Sequence, residues 1–400
     1  MKLSLNLLKQ FFSDKANTGN KLEFKSCRLQ IFKVILLNIL ISLFNTIQSI
    51  NSLKSKIMKT AICFLTGIFL AFSVINGQNS SIGYKIVQKI HLEGDGFWDY
   101  LIADDASGIL YVSHGKMVHV VDMNTGKSVA TITDVNGVHG IAVATGFNKG
   151  FITNGPDSNV TVFSLKDYSI IEKIPVTGRN PDAVIFEPYT KTIITWNGRS
   201  SNATVIDPKT DKVIQTIKLP GKPEAAVSDN KGKVFVNIED KSEVCMINVK
   251  TWKVEQTWSI SPGEEPSGLA LDNDNHRLFS ATDKLTVVID AESGKVITSL
   301  PTGGRVDGAA FDSDLKRVYI SCGDGDLTVI QEVNPNSFKV IANIPVQTGA
   351  RTISLSAKTH RIYLSTAEFG PVPEKTGDNP NPRPVVKPGT FTVIAVDPVR

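Results

Sequence analysis

Asp99, His139, Asp182, Glu224, Ser267, Asp307 and Arg351 each stand just ahead of a short run of small apolar residues. Their side chains are the ones that bind metals, anions and polar ligands. Asp99, Asp182, Glu224 and Asp307 are hard oxygen donors of the calcium-binding kind. His139 and His114, flanked by Asp99 and Asp182, form a set suited to a transition metal. Arg351, with Arg179 and Arg305 on neighbouring turns, carries the forked donors that hold carboxylate or phosphate. Trp98 and Trp196 offer faces that stack on sugars or single-stranded bases. His114, Trp196 and Asn197 come from polar corners further along the same repeats. Each type also has an ordinary structural use: turn acids cap backbone N–H groups, and tryptophans pack.

The elements that must position these residues are short β-branched runs separated by turns. Residues 180–229 show one complete copy: apolar runs at 183–186, 192–196, 203–206 and 213–217, then Pro220-Gly221-Lys222-Pro223 to begin again. Four such runs read as a four-stranded antiparallel meander. The third run ends at Asp122, Ser164, Asp207, Asn248, Asp290, Glu332 and Asp397, with steps of 42, 43, 41, 42, 42 and 65 residues. A step of about 42 residues is one propeller blade. The last step holds a Pro-rich insertion, 367–389, in an otherwise regular blade. The expected fold is all-β: a seven-bladed propeller of four-stranded antiparallel blades. An N-terminal strand, 84–92, would supply the missing fourth strand of the last blade and close the ring. In this register the seven residues of the opening set converge on one mouth of the axial channel, on the rim that bears the insertion.

Val205-Ile206-Asp207-Pro208-Lys209-Thr210, Leu219-Pro220-Gly221-Lys222-Pro223 and Lys233-Val234-Phe235-Val236-Asn237 closely resemble the YVTN-repeat β-propellers, the YncE-like group of secreted and surface proteins. The resemblance covers roughly residues 84–400. It implies the fold firmly and the function weakly, because such propellers serve as binding modules, surface proteins and occasionally enzymes.

Residues 58–78 read as a secretory signal peptide: Met58-Lys59, an apolar run from Ala61 to Ile75, then small residues. Residues 1–57 read as an over-extended N-terminus or, through the apolar stretch 29–47, a membrane segment. The mature domain is then 79–400, exported to a periplasmic or extracellular location, monomeric and not inserted in a membrane. The net charge of +4 is misleading. Residues 1–78 hold ten of the 43 Lys/Arg and two of the 39 Asp/Glu, leaving 33 basic and 37 acidic residues in 79–400, a net of −4. An acidic body argues against a nucleic-acid partner. Cys245 and Cys322 lie two blades apart and are expected to be free and buried. No Gly-rich phosphate loop, Cys-x-x-Cys motif or G-x-S-x-G elbow occurs.

The expectation is a binding or interaction module without a cofactor, holding a small molecule, glycan or protein at the axial mouth through Asp99, His139, Asp182, Glu224, Asp307 and Arg351, with Trp98, His114, Trp196 and Asn197 beside them. The competing class is a calcium- or transition-metal-dependent, lactonase-like hydrolase at the same mouth. Any metal would fall to His114, His139, Asp99 and Asp182, although no complete lactonase motif is present.

Overall fold

The computed structural model describes residues 83–377, 380 and 382–399, together with 37, 41 and 42. The chain divides into two units, 1–79 and 80–400. The signal peptide expected at 58–78, and all of the expected 1–57 segment except the three residues named, lie outside the described residues. No helix among the described residues is long and apolar enough to cross a membrane.

Residues 84–398 form seven antiparallel sheets of four strands each, a β-propeller. The first strands are Trp98–Asp104, Val138–Ala144, Pro181–Glu187, Pro223–Ser228, Gly268–Asp272, Val306–Asp312 and Thr352–Ser356. Each first strand touches the first strands of both neighbouring blades, so these seven line the axis in a closed ring. The seventh sheet runs Tyr84–His91, Thr392–Pro398, Arg361–Thr366, Thr352–Ser356, from rim to axis.

The local chemistry explains the repeat. The anchor acids close the turn between third and fourth strands. Asp207 accepts from the Lys209 N–H at 2.9 Å and the Thr210 hydroxyl at 2.8 Å, and Asp290 accepts from the Ser293 N–H at 2.8 Å. These are side-chain mimics of a backbone turn. The second-strand aromatics Tyr111, Phe151, Phe235, Phe279, Tyr319 and Tyr363 are each no more than 2 % exposed and fill the cores between blades. Burying each such ring stabilises by roughly 1.5–3 kcal/mol. Glycine lets the axial strands crowd together. A Cβ on Gly268 would lie 2.7 Å from the Gly308 carbonyl carbon, and one on Gly140 would lie 2.7 Å from the Asp182 carbonyl oxygen. Cys245 and Cys322 are free and buried.

The insertion is pinned at its two feet. Gly370 N–H donates to the Val385 carbonyl at 2.7 Å, and Lys387 N–H to the Glu368 carbonyl at 2.9 Å. Phe369 and Phe391 pack on Trp98 with ring centroids 5.9 and 5.6 Å away. Between the feet the described residues are mostly exposed.

Candidate functional site

The first strands do not run regularly into the mouth. Pairing with the second strand slips between Trp98 and Leu101, Val138 and Ile141, Pro181 and Val184, Pro223 and Ala226, and Val306 and Gly308. The residues inside these slips include Asp99, His139, Asp182, Glu224 and Asp307. A β-bulge re-aims a side chain that regular alternation would send elsewhere. Blades five and seven lack the slip, and there Ser267 and Arg351 precede the strand.

Buried hydroxyls hold the bulges. Gly140 N–H donates to Thr153 Oγ1 at 2.7 Å, and the Thr153 hydroxyl donates to the Asp182 carbonyl of the next blade at 2.5 Å. Asp99 N–H donates to Ser113 Oγ at 3.0 Å. Ser321 spans from its own bulge to the Arg351 carbonyl in the same way. In blade four, Asn237 Nδ2 reaches the Gly268 carbonyl at 2.9 Å.

The side chains so aimed form a charge network. His139 Nδ1 donates to Asp99 Oδ2 at 2.6 Å and lies 3.6 Å from Asp182 Oδ1. Arg351 pairs with Asp307, stands 3.8 Å from Asp99 and donates to the Trp98 carbonyl at 2.9 Å. Lys222 pairs with Glu224 at 2.7 Å and with Glu239. Ser267 Oγ donates to the Val306 carbonyl at 2.8 Å, a structural role. Burial lowers the His139 imidazole, but the Asp99 hydrogen bond and the Asp182 and Asp99 charges outweigh it and lift the group to about 9. Asp182 is raised by burial and by the Asp99 charge, against the pull of His139, Lys222 and Arg351. Glu224 is raised by burial and by Asp182, against Lys222. Burial and mutual repulsion thus favour the protonated forms of Asp182 and Glu224, so the mouth is rich in carboxyl groups while its cations His139, Arg351 and Lys222 balance most of the remaining charge.

Below the network the axial channel opens into a cavity of about 180 Å³. Its walls are mainly apolar, among them Ile102, Ile141, Val184, Leu269 and Ile353, and Tyr100 enters from blade one. Burial, then the charges of Asp182, Glu224 and Asp99, push the Tyr100 phenol well above its ordinary value, so it stays a neutral donor. Asp99, His139 and Asp182 present three ligand atoms within 4.8 Å of one another, a set able to hold one metal ion.

The structure brings together Asp99, His139, Asp182, Glu224, Asp307 and Arg351. It removes four others from the mouth. Trp98 is 5 % exposed and Trp196 fully buried, so neither offers a face to a ligand; Trp196 fills the core between blades three and four. The Asn197 amide is buried and donates to Asn202 Oδ1 at 2.8 Å and Thr204 Oγ1 at 2.9 Å, fixing its hairpin. His114 is 1 % exposed and pairs with His119, not His139; its Nδ1 is 3.3 Å from His119 Nε2. It thus drops out of the expected metal set. His114, Trp196 and Asn197 end second strands, where both faces pack against neighbouring blades, and Trp98 begins a first strand with Phe369 and Phe391 packed on it. Lys222 and Tyr100 join the mouth without having been singled out in the sequence, and Glu239, a corner residue of the same rim, joins it through Lys222. Lys222 lies within the turn motif Leu219-Pro220-Gly221-Lys222-Pro223, where a lysine reads as solvated charge, and Tyr100 gave no signal beyond its place beside Asp99.

No known family pattern matches the chain, and no curated protein matches it. Solved structures do. The structure of U3-55K superposes with a TM-score of 0.64 at 8 % identity, covering 79 % of this chain and 98 % of that one. The Kuenenia stuttgartiensis hydrazine synthase gives 0.59 at 16 %, covering 76 % and 99 %. The RRP9 WD40 repeats give 0.65 at 8 %, covering 79 % and 97 %. At such identities the likeness is one of fold, and the chain is a seven-bladed β-propeller of the WD40-like kind.

Proposed function

We propose that this propeller is an exported, YVTN-like binding module that holds a polar ligand or partner group at its axial mouth. The observation supporting the reading is the set of five register slips, which aim Asp99, His139, Asp182, Glu224 and Asp307 at one opening above an apolar channel. A closed ring needs no such irregularity for stability, and bulges beside an opening are a usual device for presenting side chains. The cluster of carboxyl groups favours a ligand with a polar, hydrogen-bonding head and a small apolar part that enters the channel. The folds it resembles include one enzyme by name and one set of WD40 repeats, so fold alone does not choose between chemistries.

A second reading rests on the three convergent ligand atoms of Asp99, His139 and Asp182: a metal-dependent, lactonase-like hydrolase at the same mouth. A thermal-shift panel of metal ions, amines, sugars and carboxylates on the wild type and on His139→Gln separates the two. The binding reading expects organic hits that lose their shift in His139→Gln and no tight stoichiometric ion that depends on His139. A single bound metal lost in His139→Gln would favour the hydrolase. Hits unaffected by His139→Gln would remove the mouth from both readings.

A further inference from the structure

A second cluster lies on the same rim, off the axis and under the feet of the insertion. His114-Gly115-Lys116-Met117-Val118-His119 spans the hairpin between the second and third strands of blade one. His114 and Met117 are cross-strand partners at the turn, and His119 follows Met117 by two, so it shares its face. The two imidazoles face each other directly: Nδ1 of His114 is 3.3 Å from Nε2 of His119, with ring centroids 5.6 Å apart. Met117 stands at the turn, against the same glycine as the His114 ring. A Cβ on Gly94, in the loop above, would meet Met117 Cε at 2.9 Å, Met117 Sδ at 3.0 Å and His114 Cε1 at 3.5 Å. Gly94 has φ +106°, so the loop comes this close only because no side chain stands there.

We infer that His114, Met117 and His119 form a soft-metal site that takes copper(I). Two imidazoles and a thioether are neutral ligands, and a thioether selects Cu(I) over Zn(II) or Ca(II). Both histidines are no more than 3 % exposed, and the Phe391 ring stacks on His114 at 3.9 Å. Neutral ligands in an apolar shell favour a monovalent over a divalent ion, because less charge must be desolvated. With metal–nitrogen bonds of about 2.0 Å, nitrogens 3.3 Å apart subtend about 110° at a shared ion, reached by tilting the rings. The methionine thioether, on three rotatable bonds, can complete a trigonal set. Without metal the two rings share one N–H···N contact and hydrogen-bond the backbone of Glu93, with Gly96 also beside His114; Cu(I) between the facing nitrogens makes two metal bonds in place of that shared contact. Access exists. A cavity of about 330 Å³ opens over His114 between the 94–97 loop and the insertion, with Asp95, Arg383 and Lys387 on its walls.

The test titrates the full chain, with Cys27 and Cys63 replaced by Ser to remove competing thiols, against the Cu(I)–bicinchoninate complex without oxygen. The expected result is one equivalent withdrawn, with X-ray absorption showing two nitrogens and one sulfur. Met117→Leu should lose the sulfur scatterer and retain copper at least tenfold more weakly. His119→Gln should abolish uptake, and His139→Gln should leave it intact. Circular dichroism checks folding, and Met117→Leu, nearly isosteric, keeps the test open if His119→Gln does not fold. No withdrawal of copper, a sulfur-free spectrum in the wild type, Zn(II) bound as tightly, or loss of uptake in His139→Gln would each overturn the assignment.

Discussion

His139 is the residue on which the electrostatics of the mouth turn, and His139→Gln isolates its contribution. The imidazole rises from 6.5 to about 9, because the Asp99 hydrogen bond and the Asp182 charge outweigh burial. A group with a raised folded-state value binds its proton more tightly when folded. Its stabilisation is complete below pH 6.5 and is lost as pH rises through 9. Taken at face value the shift is worth about 3 kcal/mol. The ring is 27 % exposed and Arg351 stands 3.8 Å from Asp99, so solvent and the nearby guanidinium reduce the expected effect. About 1–2 kcal/mol is a fair expectation after that screening. Urea unfolding of wild type and His139→Gln at pH 6 and pH 10 reads it directly. The gap should be about 1–2 kcal/mol at pH 6 and close to zero at pH 10. A gap that does not change with pH, or an NMR titration placing His139 at or below 6.5, would refute the coupled Asp99–His139–Asp182 network.

Thr153→Val keeps shape but orphans the Gly140 N–H and the Asp182 carbonyl, at a cost of about 1–3 kcal/mol for each group. Denaturant titration should show that loss, and the His139 titration should move. Glu332, 5 % exposed and beside Asp272, is raised to about 7 by burial and then by Asp272, so it weakens the fold as pH rises from 4.5 to 7. Glu332→Gln should flatten that part of the stability–pH profile and raise the melting temperature at pH 8; a lower one would contradict the pairing. Trp196→Ala should cost about 3–5 kcal/mol as a core truncation, read by denaturant unfolding. Trp196→Phe should leave any mouth ligand bound as tightly as in the wild type, and a ligand lost in that variant would return Trp196 to the site.

The ring was legible because its signal is redundant. Seven anchors at a near-constant step, β-branched runs and Asx turns all carry the same period, so an irregular copy such as the interrupted last blade did not hide it. The mouth was legible for the same reason: one position ahead of each first strand maps to one place in space. The corner positions failed on a different physical point. Trp196, Asn197 and His114 end second strands, and a second strand has a neighbouring blade on each face, so a polar residue there is buried by geometry rather than shown to solvent. The register slips were also invisible. They arise from hydroxyls such as Thr153 bonding across blades, and one hydroxyl in a β-branched run looks like any other. Lys222 was hidden by its place in the turn motif, where a lysine reads as solvated charge.

The proposed ligand site at the axial mouth is tested most sharply by crystallography. A crystal of the chain soaked with the strongest organic thermal-shift hit should show density between Asp99, Asp182 and Glu224, with its apolar part toward Tyr100 in the channel. Density elsewhere on the propeller, with the mouth network and channel unchanged, would contradict the account.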